Sequence, residues 1–407
     1  MYNENPVIPG TAHHSWRTTL AVTSLAQFLS GVGFSFVFPF FPFYFGELGL
    51  KTQKDVLLWF GYTSIAFGIT MAVCAPLWGV LADRFGRKLM VIRSMLAGAV
   101  ILGLMGLATS PWHILILRIL QGMSTGTVTA SVTLVSSVTP VENLGFSLGI
   151  VQTGLLLGNA VGPFLGGVLA DHLGYRIPCG LAFIILSLGA LLVALCATEK
   201  FTPHEDVKAN GFKTIHGIIK TDGFTVILSI FFLIYVISTM IAPILPLFIQ
   251  ELSGNASNVA TLTGTFIAVA GLLSGITSFY VGRLGDRFGH NRVLIISLVA
   301  TGIFSIPQAL ANNLWVLFFE RCLLGIAVGG IVPTVNALVS NTISRERVGS
   351  AYGLTSSVTC LGIGVGPLIG GGLAAAFGLR WPFVIMGVVS LVIAFSVQKM
   401  VSRRNGK

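Results

Sequence analysis

Charge is what this chain has least of. Only 9% of its 407 residues are Asp, Glu, Lys or Arg, and 14 of them are acids. With 54% hydrophobic residues and a mean hydropathy of +0.88, it has too little polar surface to coat a water-soluble globule of this size. Other absences narrow the function. The five cysteines, Cys74, Cys179, Cys196, Cys322 and Cys360, fall in apolar runs without metal-type spacing, which argues against a zinc site and a disulfide framework. No Gly-x-x-x-x-Gly-Lys-Ser/Thr loop occurs, so ATP hydrolysis is not expected. No catalytic constellation is visible and no histidine falls mid-span, so neither an enzyme, a metal nor a cofactor is expected.

What the chain does have is long apolar runs. Twelve of roughly 20 residues or more, the length that crosses about 30 Å of hydrocarbon, lie near 17–45, 56–82, 89–108, 112–138, 144–171, 177–198, 223–251, 258–284, 293–310, 314–342, 349–376 and 381–401. In lipid every backbone N–H and C=O must be paired within the segment, and runs this long without period-2 alternation do so as helices. The expected fold class is an all-α integral membrane protein with twelve transmembrane helices. The first sixteen residues are polar and the first span is too long for a signal-peptide core, so it should stay uncleaved.

The chain also repeats itself. Gly79-Val80-Leu81-Ala82-Asp83-Arg84-Phe85-Gly86-Arg87-Lys88 returns as Gly282-Arg283-Leu284-Gly285-Asp286-Arg287-Phe288-Gly289-His290-Asn291-Arg292, an offset of 203 positions. Pro39 and Pro42 match Pro243 and Pro246 at 204, and Arg118 matches Arg321 at 203. The reading is two six-helix halves, residues 1–198 and 223–407, joined by a polar linker at 199–222. Of the 24 Lys and Arg, 18 fall on the ends shared by the termini and linker, so both termini are expected in the cytoplasm and the protein in the plasma (inner) membrane. The net charge of +10 then calls for no nucleic-acid partner. A monomer embedded in the lipid bilayer is expected.

Three stretches resemble signature motifs of the major facilitator superfamily: the Gly-x-Leu-x-Asp-Arg-x-Gly-Arg-Lys loop after span 2, Arg118-x-x-Gln121-Gly122 in span 4, and Gly158-x-x-x-Gly162-Pro163-x-x-Gly166-Gly167 in span 5. The last is similar to that of the drug:proton antiporters, and Phe34-Ser35-Phe36-Val37-Phe38-Pro39-Phe40-Phe41-Pro42 looks like the MdtG-type multidrug exporters. The resemblance implies two pseudo-symmetric bundles, each of 3+3 inverted repeats, rocking about a midplane site. It also implies proton-driven efflux of small lipophilic molecules. A sugar or nutrient symporter and a lipid translocator are the alternatives; the Pro-Glu-Ser-Pro-Arg-like segment of sugar porters is absent after span 6, where Thr198-Glu199-Lys200-Phe201 stands.

Candidate site residues follow. Asp83 sits at the C-terminal end of its helix, badly placed against that helix's dipole, and needs an external partner. By resemblance, Asp83, Arg84, Gly86, Arg87, Asp286 and Arg287 form a conformational latch. Asp83 would meet the start of span 11 near Gly349-Ser350, and Asp286 the start of span 5 near Gly145-Phe146. Gly86 and Gly289 suit the positive φ of a tight turn. Gly158, Gly162, Pro163, Gly166 and Gly167 would let span 5 approach a neighbour closely, and Gly362, Gly366, Pro367, Gly370 and Gly371 would do the same for span 11. An embedded charge is costly and so a functional candidate; Glu320, Arg118 and Arg321, with Asp83, are the proton-coupling candidates. Gln27, Phe34, Phe38, Gln152, Asn159 and Asn336 are candidates for the substrate cavity.

Overall fold

The structure, a computed structural model, describes residues 12–199, 224–254, 256–342 and 348–405. Most of the linker lies outside it. Among the described residues there is no strand, and sixteen helices make up twelve crossings. In the first half, span 1 is α1 (Ala12–Ser35) and α2 (Phe41–Glu47), span 2 is α3 (Gln53–Phe85) and span 3 is α4 (Arg87–Gly106). Span 4 is α5 (Pro111–Ser124) and α6 (Thr127–Val138), and spans 5 and 6 are α7 (Leu144–Leu173) and α8 (Arg176–Cys196). In the second half, span 7 is α9 (Phe224–Thr239) and α10 (Ile244–Leu252), span 8 is α11 (Val259–Phe288) and span 9 is α12 (His290–Ser305). Span 10 is α13 (Leu314–Val328) and α14 (Ile331–Thr342), and spans 11 and 12 are α15 (Val348–Phe377) and α16 (Trp381–Asn405).

The breaks recur at matching places. Spans 1 and 7 break at their paired prolines, which lack the N–H that would continue the helix. Spans 4 and 10 break at Thr125-Gly126 and Gly329-Gly330; Gly126 has φ 134°, a backbone few other residues adopt. Among the described residues, 11 segments are long and apolar enough to cross a membrane, and span 4 is the crossing not among them. The carbonyls freed in span 4 find partners: Trp78 Nε1 donates to Met123 O at 2.6 Å and Arg93 Nη2 to Thr125 O at 3.3 Å. The Arg93 guanidinium also lies 3.3 Å from the Trp78 ring centroid.

The halves meet along two seams, span 5 on span 8 and span 11 on span 2. Both seams are glycine-lined on the side away from the linker. Gly68 backs onto Gly364, and Gly371 onto the Leu57 carbonyl; a Cβ at Gly167 would collide with the Ala260 carbonyl, and one at Gly264 with that of Pro163. Toward the linker side the same four spans separate. Gly79, Gly145, Gly149, Gly275, Gly282 and Gly353 have open space where a Cβ would stand. The central cleft is therefore closed at the face away from the linker and open toward it.

Candidate functional site

Arg118 is buried, 5% exposed, at the level of the break in span 1. Its guanidinium lies 4.2 Å from the ring centroid of Phe67, 5.0 Å from Phe38 and 5.9 Å from Phe41. Nη1 donates to Gln121 Oε1 at 2.7 Å. Among the described residues no carboxylate pairs with it, so the charge is held by ring quadrupoles and one amide. The aromatic segment of span 1 is thus the wall of an arginine box. In this conformation the charge is enclosed and not displayed to the cleft.

The second half keeps the arginine and loses the box. Gly122 packs on the Phe67 carbonyl as Gly325 packs on that of Ala270, which fixes the equivalence. Phe38, Phe41, Phe67 and Gln121 then correspond to Ala242, Leu245, Ala270 and Leu324. Arg321 has no ion pair among the described residues, and its buried Nε, like that of Arg118, has no partner; what it lacks beside Arg118 is the rings and the amide. Glu320 does not pair with it, and Glu320 Oε2 is likewise buried and unpartnered. Two equivalent arginines are therefore unequally satisfied.

Span 5 shows how the glycine stripe works. Gly154, Gly158, Gly162 and Gly166 lie against span 1, where a side chain at Gly158 or Gly166 would collide with the carbonyl of Phe28 or Phe36. Ser35 Oγ crosses this contact, donating to Gly31 O at 2.6 Å and to Gly158 O at 3.4 Å. Thr239 and Gly362 repeat the cross-contact in the second half at 3.3 Å, with Gly362, Gly366 and Gly370 against span 7. Gly167 faces the other way, onto span 8. At 100° per residue, Gln152 and Asn159 fall between these two contact faces, both exposed, opposite an apolar flank of Ile150, Leu157, Val161 and Val168. Pro163 has no N–H, so the Asn159 carbonyl also lacks its usual intrahelical donor.

The other cavity candidates go elsewhere. Gln27 is 1% exposed with neither amide atom partnered, and Phe34 packs against Gly98 of span 3. Phe38 belongs to the arginine box. The face of span 1 expected to line the cavity is, in this conformation, turned into its own half, because Gly31 on the same face is pressed against span 5. Asn336 is half-buried, and its carbonyl accepts from Tyr352 Oη at 3.2 Å, joining spans 10 and 11.

The loop repeat adopts the tight turn expected of it, with φ 92° at Gly86 and 90° at Gly289. The side chain of Asp83 and those around Gly349-Ser350 lie outside the described residues. Asp286 does not reach Gly145-Phe146. It is exposed and paired with His290 of its own turn at 3.6 Å, as the open linker side requires.

Two further acids make contacts between elements. Glu199 accepts from the Arg87 and Lys88 amides at 3.0 and 2.8 Å, capping α4 and tying the first latch turn to the end of span 6. Asp171 accepts from the Ala260 and Thr261 amides at 3.1 and 2.6 Å, across the seam between the halves. Asp171 carries the signal that singled out Asp83, an acid at the wrong end of its own helix dipole. Nearby, burial pushes the Tyr175 phenol up to about 12, with Asp171 and Glu47 adding to it, so this group stays neutral.

This architecture has relatives. The family model described as Major Facilitator Superfamily matches residues 23–274 and 227–405. The chain is 35% identical over 383 residues to the multidrug resistance protein MdtG of Proteus mirabilis, covering 93% of this chain and 94% of that one. It is 35% identical over 397 residues to MdtG of Escherichia fergusonii, covering 96% of each. Among solved structures, the nucleoside transporter NupG superposes with a TM-score of 0.77 at 14% identity, over 95% of this chain and 98% of that one. A bacterial homolog of the human lysosomal transporter Spinster, in an inward-facing and unoccupied conformation, superposes with a TM-score of 0.73 at 16% identity, over 95% and 97%. Matched along its whole length by family, relatives and fold, the chain belongs to the major facilitator superfamily of membrane transporters.

Proposed function

We propose that this protein exports lipophilic small molecules from the cytoplasm by alternating access, driven by proton entry. The observation that carries the reading is identity over nearly the whole chain to proteins named for multidrug resistance. A cleft closed at one end fits it. Lys and Arg placement puts the linker face, and with it both termini, in the cytoplasm, so the described conformation is inward-open. Span 5 offers the amides of Gln152 and Asn159 to the cargo, and Arg321 offers a guanidinium that lacks an internal partner. Apolar walls with a few polar groups suit a permissive site.

The test is efflux of a panel of unrelated fluorescent lipophiles from proteoliposomes, with and without an imposed pH gradient. Gradient-dependent movement of several compounds is the expected result. Saturable uptake of one nutrient would show a symporter, and movement of labelled phospholipid alone a lipid translocator; either overturns the reading.

Glu320 is the proposed proton carrier, since it is the one acid well inside a span. Glu320→Gln retains the shape and fixes a neutral side chain. Gradient-driven efflux per folded molecule should fall to background while exchange at zero gradient persists. The melting temperature should hold, because no ion pair to Arg321 exists to be broken. Normal gradient-driven efflux would remove Glu320 from the proton path and leave Asp83 as the candidate.

A further inference from the structure

We propose that Asp171 is the lock of the outer gate, a carboxylate of one half that grips the first turn of a helix in the other and must let go for the cleft to open outward. The proposal rests on the alternating-access reading above.

The first amides of any helix lack intrahelical acceptors. In α11 the residue placed to cap them, Asn258, is of a favoured capping type, yet its side chain makes no capping bond. The bonds come instead from Asp171, 89 and 90 positions earlier in the chain, through Oδ1 to Ala260 and Oδ2 to Thr261. Asp171 gains equally. At the C-terminal end of α7 it opposes its own helix dipole, and the amino end of α11 relieves that conflict. One turn below, Gly167 lets the two backbones close until they touch.

Among the described residues the other seam has no such device. The residue equivalent to Asp171 is Ala375, and α3 caps itself, with Thr52 Oγ1 accepting from the Asp55 amide at 3.1 Å. Outer closure is thus secured at one seam by a bond across the halves, while at the other the helix start is satisfied whether the gate is open or shut. The charged and titratable groups at this corner are His172 beside Asp171, Tyr175 and Arg176 in the next turn, and Glu47 at the end of span 1; the first turn of α11 carries no acid. None pairs with Asp171 within 4.0 Å. The lock is therefore carboxylate to amide.

Span 8 also carries Asp286 at its inner end, disengaged here. If that residue grips span 5 when the inner side closes, the two aspartates act as opposing locks on one pair of helices, and only one can be engaged at a time.

The experiment measures distances between spin labels at Lys54→Cys and Asn312→Cys, exposed outer positions of the two halves, in a background free of the five native cysteines. Asp171→Asn keeps one acceptor and loses the charge; Asp171→Ala loses both. The outward-open share should rise several-fold in the first and about tenfold in the second, as expected for losing charge-assisted bonds. Adding Asp286→Asn to Asp171→Asn should bring the distribution back toward wild type. A general loosening of the fold would not be reversed from the far end of the helix. Distributions unchanged in both Asp171 variants, in folded monodisperse protein, would overturn the lock, as would failure of the reversal. The readout needs no cargo, so an error in the cargo class leaves it intact.

Discussion

Replacing Arg118 with alanine should reduce efflux to background while the protein still folds and inserts. The physical reason lies in what surrounds the charge. Three aromatic rings and Gln121 hold the guanidinium where span 1 is broken, and a cation–ring contact stabilises by about 0.5–1 kcal/mol at exposed sites and about 2 kcal/mol when desolvated. Alanine loses these contacts and leaves a cavity and an unpaired Gln121 amide, offset in part by removal of the cost of burying the charge, so the melting temperature should fall by several degrees while the protein still folds. The broken segment of Phe38 and Phe41 loses the group that fixes it, and with it the geometry of the central site. Arg118→Lys should also be impaired, because an ammonium cannot reproduce the planar, stackable fork. Efflux per folded molecule, measured beside thermal unfolding, decides this; full transport by Arg118→Ala would remove the residue from the mechanism.

The second large effect comes from adding one methyl group at either of two glycines in the same motif. Gly158→Ala places a Cβ against the Phe28 carbonyl within one half, whereas Gly167→Ala places it against the Ala260 carbonyl of the other half. Neither carbonyl can rotate away as a side chain would, and overpacking of this kind costs roughly 1–3 kcal/mol. Both changes raise helix propensity, by about 1 kcal/mol, so any loss comes from the contact. Gly158→Ala should therefore lower thermal stability. Gly167→Ala should leave the melting temperature near wild type but prevent outer closure, abolishing transport and lengthening the distance across the outer face. If both variants merely lose stability to the same extent, the two glycines share a packing role and the gating distinction fails.

Much of this was legible in the residues. The apolar runs located every crossing, since hydrocarbon leaves the backbone no alternative to a helix. The repeated Asp-Arg-Phe-Gly turn placed the positive φ of Gly86 and Gly289, and the four-residue glycine spacing marked spans 5 and 11 as sites of close approach. The face of span 1 was not legible. Helical spacing grouped Gln27, Gly31, Phe34 and Phe38 on one face, but the helix ends at Ser35, before Phe38, and spacing cannot say which neighbour a face meets. That depended on Gly31 fitting against span 5 and Phe34 against Gly98.

By itself, then, the sequence determined the medium, the helices, the duplication and the family, because these depend on composition and local periodicity. The tertiary structure decided which of two matching groups is satisfied. Arg118 and Arg321 occupy equivalent positions; spans 1 and 2 bring three rings to the first and its own helix brings Gln121, where the second half has Ala242, Leu245, Ala270 and Leu324. Asp171 and Asp286 terminate comparable helices; one grips the opposite half and the other does not, because the cleft is closed at one end and open at the other. Charge and hydrogen bonding at these points are set by atoms remote in the chain, and their positions exist only once the two halves have packed.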